Sequence, residues 1–304
     1  MRNCWNKSNT KGNRQSSPRM NGILIIDKPE GMTSHDVVQA IRKKFSISKA
    51  GHLGTLDPMA TGVLPVCVGK ATRIAQFIGR SPKEYEGEIR FGFATDTYDR
   101  EGTASSEEMP LQSAREEIEA AMQSLTGSLD QVPPPFSAKK VGGVPSYKLA
   151  RKNQAVEIAP SRVEVEQFQM LSFNPPVMSF RVVCSPGTYI RSLAHDLGQR
   201  IGCGAHLAAL RRTRSGEFGI DHAVKLERAS PADVIPLNGL LACMPLVEVS
   251  GAEETRVLHG NPIEAHATGP FARIFNKKGE FIAVGSLENG WVHPRLVLTS
   301  MTSD

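Results

Sequence analysis

The chain has 304 residues, 40% of them hydrophobic and 22% charged, with a formal net charge of +5. This is the composition of a soluble globular protein large enough for one large domain plus a small one. No apolar run approaches the roughly 18 residues of a membrane span. Five of the 36 basic residues (Arg2, Lys7, Lys11, Arg14, Arg19) lie in the first 20 positions, which contain no acid; the remaining 31 bases face 31 acids, so net charge alone cannot argue for nucleic acid binding.

The acid-free stretch 1–20 faintly resembles a transit peptide. Its low hydrophobicity and net charge favour a disordered extension, with Met20 close enough to the first apolar segment to be the true start. Ile23–Asp27 reads as a short strand, broken by Lys28-Pro29-Glu30-Gly31. Ser34 can cap a following helix whose Val37, Ile41 and Phe45 recur at helical spacing. Next comes a Gly- and Pro-rich loop, GHLGTLDPMATG (51–62), then an apolar strand, VLPVCVG, and a helix-like segment with Ile74, Phe77 and Ile78. Residues 84–93 alternate, with Tyr85, Gly87, Ile89, Phe91 and Phe93 on one face and Glu84, Glu86, Glu88 and Arg90 on the other, the pattern of a half-buried strand.

Ser113 with Glu116 forms a capping box ahead of Ile118, Met122 and Leu125, and Gly127 can end that helix. PPPFSAKKVGGVPSYKLAR (133–151) is polar, Gly-rich and long enough to be a functional loop. FRVVC then reads as a strand, SPG as a turn, and Ile190, Leu193, Leu197 and Ile201 as the buried face of a helix. Past residue 245 short strands (LVEVS, ARIF, EFIAVG, PRLVL) and turns suggest a small all-β module.

Several chemistries drop out. The segment Gly62 to Gly69-Lys70 lacks phosphate-loop spacing, His52, His195, His206 and His222 never pair at metal-ligand spacing, and no GxSxG elbow occurs. The five cysteines (Cys4, Cys67, Cys184, Cys203, Cys243) are scattered, which disfavours both a disulfide framework and a zinc site and points to the cytoplasm. What remains is Asp57, flanked by Thr55 and Pro58 in a loop that Gly51, Gly54 and Gly62 let turn sharply. On spacing alone an Asp before Pro is more often a turn residue. Arg191, at the N-terminal end of its predicted helix, opposes the helix dipole and therefore fits a carboxylate or phosphate partner, although a solvated Arg is the simpler reading. Tyr85 defaults to core packing, with base stacking as the sharper alternative. Two basic clusters, Arg42, Lys43, Lys44 with Lys49, and Arg211, Arg212 with Arg214, are candidates for phosphate contact.

GHLGTLDPMATGVLPVCVGKATR (51–73) resembles the signature of the bacterial tRNA pseudouridine-55 synthases, the TruB-type family. Further stretches similar to that family follow in the same order: DKPEGMTSHDVV (27–38), KEYEGEIRFGFATDTYD (83–99), the loop 133–151, SPGTYIRSLAHDLG (185–198) and CGAHLAALRRTRSG (203–216). The resemblance implies an α+β pseudouridine-synthase fold, with a mixed, mainly antiparallel central sheet and flanking helices, in residues 21–245. It also implies a small β-rich PUA-like RNA-binding domain in 246–304. Asp57 is then the catalytic aspartate, Arg191 its ion-pair partner, Tyr85 the ring stacked on the target uracil, and Tyr189 a pocket neighbour. Leu210 lines the cleft, Lys28 and Pro29 brace the loop, and His52 fills the space left in the tRNA T loop. The implied activity needs no cofactor or metal and acts on tRNA as a monomer, without a protein partner or a membrane. Asp57 can attack sugar or base, or assist removal of the C2′ proton; the residues do not choose among these. The rivals are a non-catalytic RNA-binding protein using the same cleft and a nucleoside hydrolase.

Overall fold

Strand β1 (Gly22–Lys28) is buried along its length except at Asp27, and it feeds two cores. Because successive strand side chains point to opposite faces, Leu24 and Ile26 enter one core while Ile23 and Ile25 enter the other. The computed structural model describes residues 20–79, 81–137, 139–141, 144–145 and 158–298. The tail 1–19 and, within the loop reading for 133–151, residues 138, 142–143 and 146–151 lie outside the described residues.

The main sheet runs β1, β3 (Thr61–Val68), β8 (Ala205–Ser215), β4 (Lys83–Phe91), β7 (Val177–Cys184), β6 (Ser161–Asn174), β5 (Gly127–Gln131), with β2 (Ala50–His52) also on β3 and Val224–Lys225 beside β1. Contacts along the path from β1 to β5 are antiparallel except β3 with β8, which is parallel and short, pairing only Thr61 with Arg211 and Gly62 with Arg212. Gly62 is required there. Its φ is +98°, and a Cβ would sit 2.3 Å from the Arg212 carbonyl oxygen, forcing the two strands apart. The sheet divides at this weak junction, and the loop carrying Asp57 runs straight into it.

Helix α1 (Ser34–Phe45), α2 (Ala75–Ile78), α3 (Arg115–Gln123) and α4 (Ile190–Ile201) flank the sheet. Two caps differ from the sequence reading. Thr33, not Ser34, caps α1: its hydroxyl accepts from Asp36 N, and the Asp36 carboxylate accepts from Thr33 N. Ala114 with Glu117 opens α3, one residue later than the Ser113 and Glu116 box, because the consecutive acids Glu116-Glu117 let the motif be read in either frame. Gly127 opens β5 instead of ending α3, and β4 stops at Phe91 because Gly92 takes φ +114°.

The C-terminal sheet comprises β9 (Leu246–Val249), β10 (Phe271–Asn276), β11 (Phe281–Glu288) and β12 (Trp291–Val297), with Ile263–Glu264 on β12. It also includes a helix, α5 (Gly251–Leu258), which corrects the all-β reading. That helix buries only Val257, so it leaves no apolar period in the sequence. Ile23, Ile25, Val63 and Cys67 of the main sheet share one core with Phe275, Phe281 and Val284 of this module, so the two sheets are packed together. The chain thus adopts the predicted α+β class with a β-rich C-terminal region. No helix among the described residues is long and apolar enough to cross a membrane.

Candidate active site

Three side chains grip the loop between β2 and β3. Lys28, fully buried at the end of β1, donates to the carbonyls of Pro29 (2.9 Å), Met32 (2.6 Å) and Pro58 (3.1 Å), which uses all three of its protons. Burial lowers the Lys28 pKa, and the negative field of Asp57 pulls the other way. Ser34 Oγ accepts from Leu56 N (2.8 Å) and donates to Leu56 O (3.0 Å), so the residue before Asp57 is held from α1. Arg212 Nη2 donates to Gly54 O (3.0 Å) and its Nε to Val63 O (2.7 Å). Ser34→Ala orphans both Leu56 backbone groups in a buried setting and should cost about 2 kcal/mol of unfolding free energy, read as a lower urea midpoint at unchanged m-value.

Asp57 meets Arg191 from the start of α4. Arg191 Nη2 donates to Asp57 Oδ1 at 3.2 Å, and Nε lies 2.9 Å from Oδ2 in an ion pair too bent to be a hydrogen bond. The same guanidinium contacts Asp99 Oδ2 at 3.3 Å and donates to the carbonyls of Thr97 (3.0 Å) and Phe136 (3.0 Å). One cation thus joins four stretches of chain. Exposure separates the two carboxylates: the Asp57 side chain is 36% exposed and that of Asp99 only 5%, so Asp57 is the acid that a ligand can reach. Gln131 fixes where α4 begins, accepting from Tyr189 N (2.8 Å) and donating to Tyr189 O (3.0 Å).

The cluster opens into a cavity of about 580 Å³, within the range of small-ligand sites. Asp57, Tyr85, Tyr189, Arg191 and Leu210, all singled out from sequence, line it together with Phe136, Lys83 and Arg212. Tyr85 is buried in β4 with its ring against the cavity; burial raises its phenol pKa, partly offset by Arg212. Lys28 and Pro29 are not on the wall but behind the loop. His52, at the end of β2, is also off the wall, and burial, then the nearby Arg212 charge, lowers its pKa.

The basic-patch reading fails at Arg212, which is completely buried inside the junction instead of lying on a phosphate-binding surface. Arg211 is paired with Asp27 (3.0 Å), and Arg214 lies 3.6 Å from Glu84. Sequence reasoning passed over Asp99, Ser34, Lys83 and Phe136. A signal existed for Lys83 alone: it shares the apolar face of β4 with Tyr85, where a cation needs a reason. Among the described residues no His, Cys, Asp and Glu group is arranged to hold a metal ion.

Residues 42–190 match the N-terminal domain of the TruB family pseudouridylate synthases, and residues 191–234 match the tRNA pseudouridylate synthase B C-terminal domain. A tRNA pseudouridine synthase B from Solibacter usitatus (strain Ellin6076) is 44% identical over 294 residues, covering 92% of this chain and all of its own length. A namesake from Symbiobacterium thermophilum is 48% identical over 255 residues, covering 82% of this chain and 85% of its own. Among solved structures, a chain of an H/ACA ribonucleoprotein bound to a substrate RNA containing 2′-deoxyuridine superposes with TM-score 0.69 at 25% identity, covering 93% of this chain and 87% of that one. A chain of a Cbf5-Nop10-Gar1 complex gives TM-score 0.68 at 26% identity, covering 92% and 86%.

Proposed function

The chain belongs to the TruB family of pseudouridylate synthases, and from that membership we propose that it isomerises uridine 55 in the T loop of tRNA to pseudouridine, with Asp57 as the catalytic carboxylate. The observation that carries this reading is the half-exposed Asp57, ion-paired to buried Arg191 at the wall of a cavity that also presents Tyr85.

The chemistry follows from what the reaction needs. The C1′–N1 bond of uridine breaks, the base turns, and C5 bonds to C1′ as its proton leaves. There is no net redox change and no transferred group, so no cofactor takes part. A uridine within a structured loop cannot reach the cavity until it is flipped out, at a cost of a few kcal/mol in lost stacking. The Tyr85 ring returns part of that by stacking on the base, about 1–3 kcal/mol. Arg191 holds Asp57 in place and aims it at the nucleoside, and Tyr189 and Leu210 bound the space the base occupies. Asp57 then serves as nucleophile at sugar or base, or assists loss of the C2′ proton; trapping and sequencing an Asp57–sugar ester separates the first route from the others.

Residues 246–304 act as a PUA-like RNA-binding domain that seats the tRNA, and His52 fills the space that the flipped base leaves. The enzyme works as a cytoplasmic monomer without a protein partner, which sedimentation of the purified chain with and without tRNA tests. Lys43, exposed on α1, contacts tRNA phosphate. Lys43→Ala should weaken tRNA binding modestly and reduce the slope of log K against log salt by about one; an unchanged slope removes α1 from the RNA path. The whole reading is tested by incubating the chain with an unmodified tRNA transcript and mapping pseudouridine by nucleotide. A product at position 55 alone is expected, whereas modification elsewhere, or free uracil, overturns it.

A further inference from the structure

The cavity contains two cations that the scheme above leaves unused. Arg212 is 0% exposed and Lys83 only 7%. With Nε and Nη2 of Arg212 engaged on Val63 and Gly54, its buried Nη1 makes no well-formed hydrogen bond, the Tyr85 hydroxyl being the polar group near this guanidinium, and Lys83 Nζ makes no hydrogen bond and no ion pair among the described residues. The two converge. A Cβ on Gly54 would sit 3.4 Å from Arg212 Nη1 and 3.8 Å from Lys83 Nζ, so both donors border the small space that this glycine leaves open on the cavity wall. The Arg212 guanidinium carbon is also 6.0 Å from the centre of the Tyr85 ring. Two like charges buried side by side with no carboxylate paired to either among the described residues oppose folding, and burial, then Arg212, pulls the Lys83 pKa down to about 8. An anion that arrives only during the reaction accounts for keeping them.

We propose that Lys83 and Arg212 form a cationic floor that stabilises the uracil as it leaves the sugar as an anion. This rests on the uridine isomerisation reading. When C1′–N1 breaks heterolytically, the electron pair stays with the base, spreading negative charge over N1, O2 and O4. The pair is returned when the ring attacks C1′ through C5, and the C5 proton then leaves to solvent or a nearby base. Electrostatic attraction to two cations depends little on direction, so it holds the base while it rotates, which fixed hydrogen bonds to one edge would resist. An RNA phosphate fits these cations less well. It carries a nucleoside on each side and cannot reach groups buried this deeply, whereas a flipped base stacked on Tyr85 arrives beside them.

Lys83→Met tests this in the full chain with tRNA transcripts. Single-turnover pseudouridine formation should fall about 10²-fold, with tRNA affinity nearly unchanged and partial recovery in Lys83→Arg. Fluorine at C5 stabilises the departing anion, so with 5-fluorouridine at the target the Lys83→Met deficit in glycosidic bond cleavage should shrink about tenfold or more. Stability should move the opposite way. The folded pKa of Lys83, about 8, lies below its ordinary 10.5, so the burial penalty is fully present below pH 8 and is relieved as pH rises toward 10.5. Lys83→Met should therefore unfold at a higher temperature than the parent at pH 7 and lack the parent's gain in stability between pH 8 and 10.5; a purely structural lysine would give the reverse. Lys83→Gln supplies the same comparisons if the Met variant does not fold. An unchanged rate, or equal deficits with uridine and 5-fluorouridine, overturns the cationic floor. A parent enzyme that makes no pseudouridine overturns instead the isomerase reading beneath it.

Discussion

Asp57→Asn should lower tritium release from tRNA carrying 5-tritiated uridine by at least about 10³-fold while leaving the fold and tRNA affinity close to those of the parent. Release of the C5 proton accompanies the new carbon–carbon bond, so the assay reads completed isomerisation. Asparagine keeps the shape of the side chain and one oxygen for the Arg191 Nη2 hydrogen bond but removes the charge. Stability should survive because Arg191 retains Asp99 as a counter-charge at 3.3 Å. Undiminished release would take Asp57 out of the chemistry, whatever its geometry.

The second large effect is at Arg191. Its removal strands Asp99, only 5% exposed, without its cation, and breaking a buried pair from one side costs about 3–5 kcal/mol. Arg191→Met should therefore both destabilise the protein and reduce turnover severely, which by itself does not separate folding from catalysis. Adding Asp99→Asn does so. The double variant should regain most of the lost unfolding free energy, because no buried charge is left unpaired, yet remain inactive, because Asp57 is still neither held nor aimed. Recovery of both stability and rate in the double variant would mean that Arg191 serves the fold alone.

The match between motif and site is uneven for a physical reason. Tyr85 was legible because strand alternation places it on the apolar face, and α4 was legible because Ile190, Leu193, Leu197 and Ile201 hold helical period; the structure closes it at Gly202 with φ +88°. Asp57 and Arg191 could be nominated by chemistry, but their roles came from family resemblance; spacing alone favoured a turn residue and a solvated Arg. Arg212 was misread because three arginines within four residues look like surface charge, and nothing in that run says that the middle one points into a strand junction. Neither does the sequence say that Asp99, in an acidic stretch, is buried against Arg191, since that depends on where residues 94–105 lie over α4.

The sequence by itself determined most of the local order: the strands and helices with a clear apolar period, which face of each is apolar, that the loop at 51–62 must turn sharply, and to which family it all belongs, but not α5, which has no such period. Only the tertiary structure decided that Asp99 would share the Arg191 cation with Asp57, that Arg212 and Lys83 would share a buried wall, and that Ser34 would hold the loop instead of capping its helix. Periodicity and turn chemistry act over a few residues and are written into neighbours. Pairing of buried charges is set by the weak parallel contact between β3 and β8 and by the packing around it, which no local window contains.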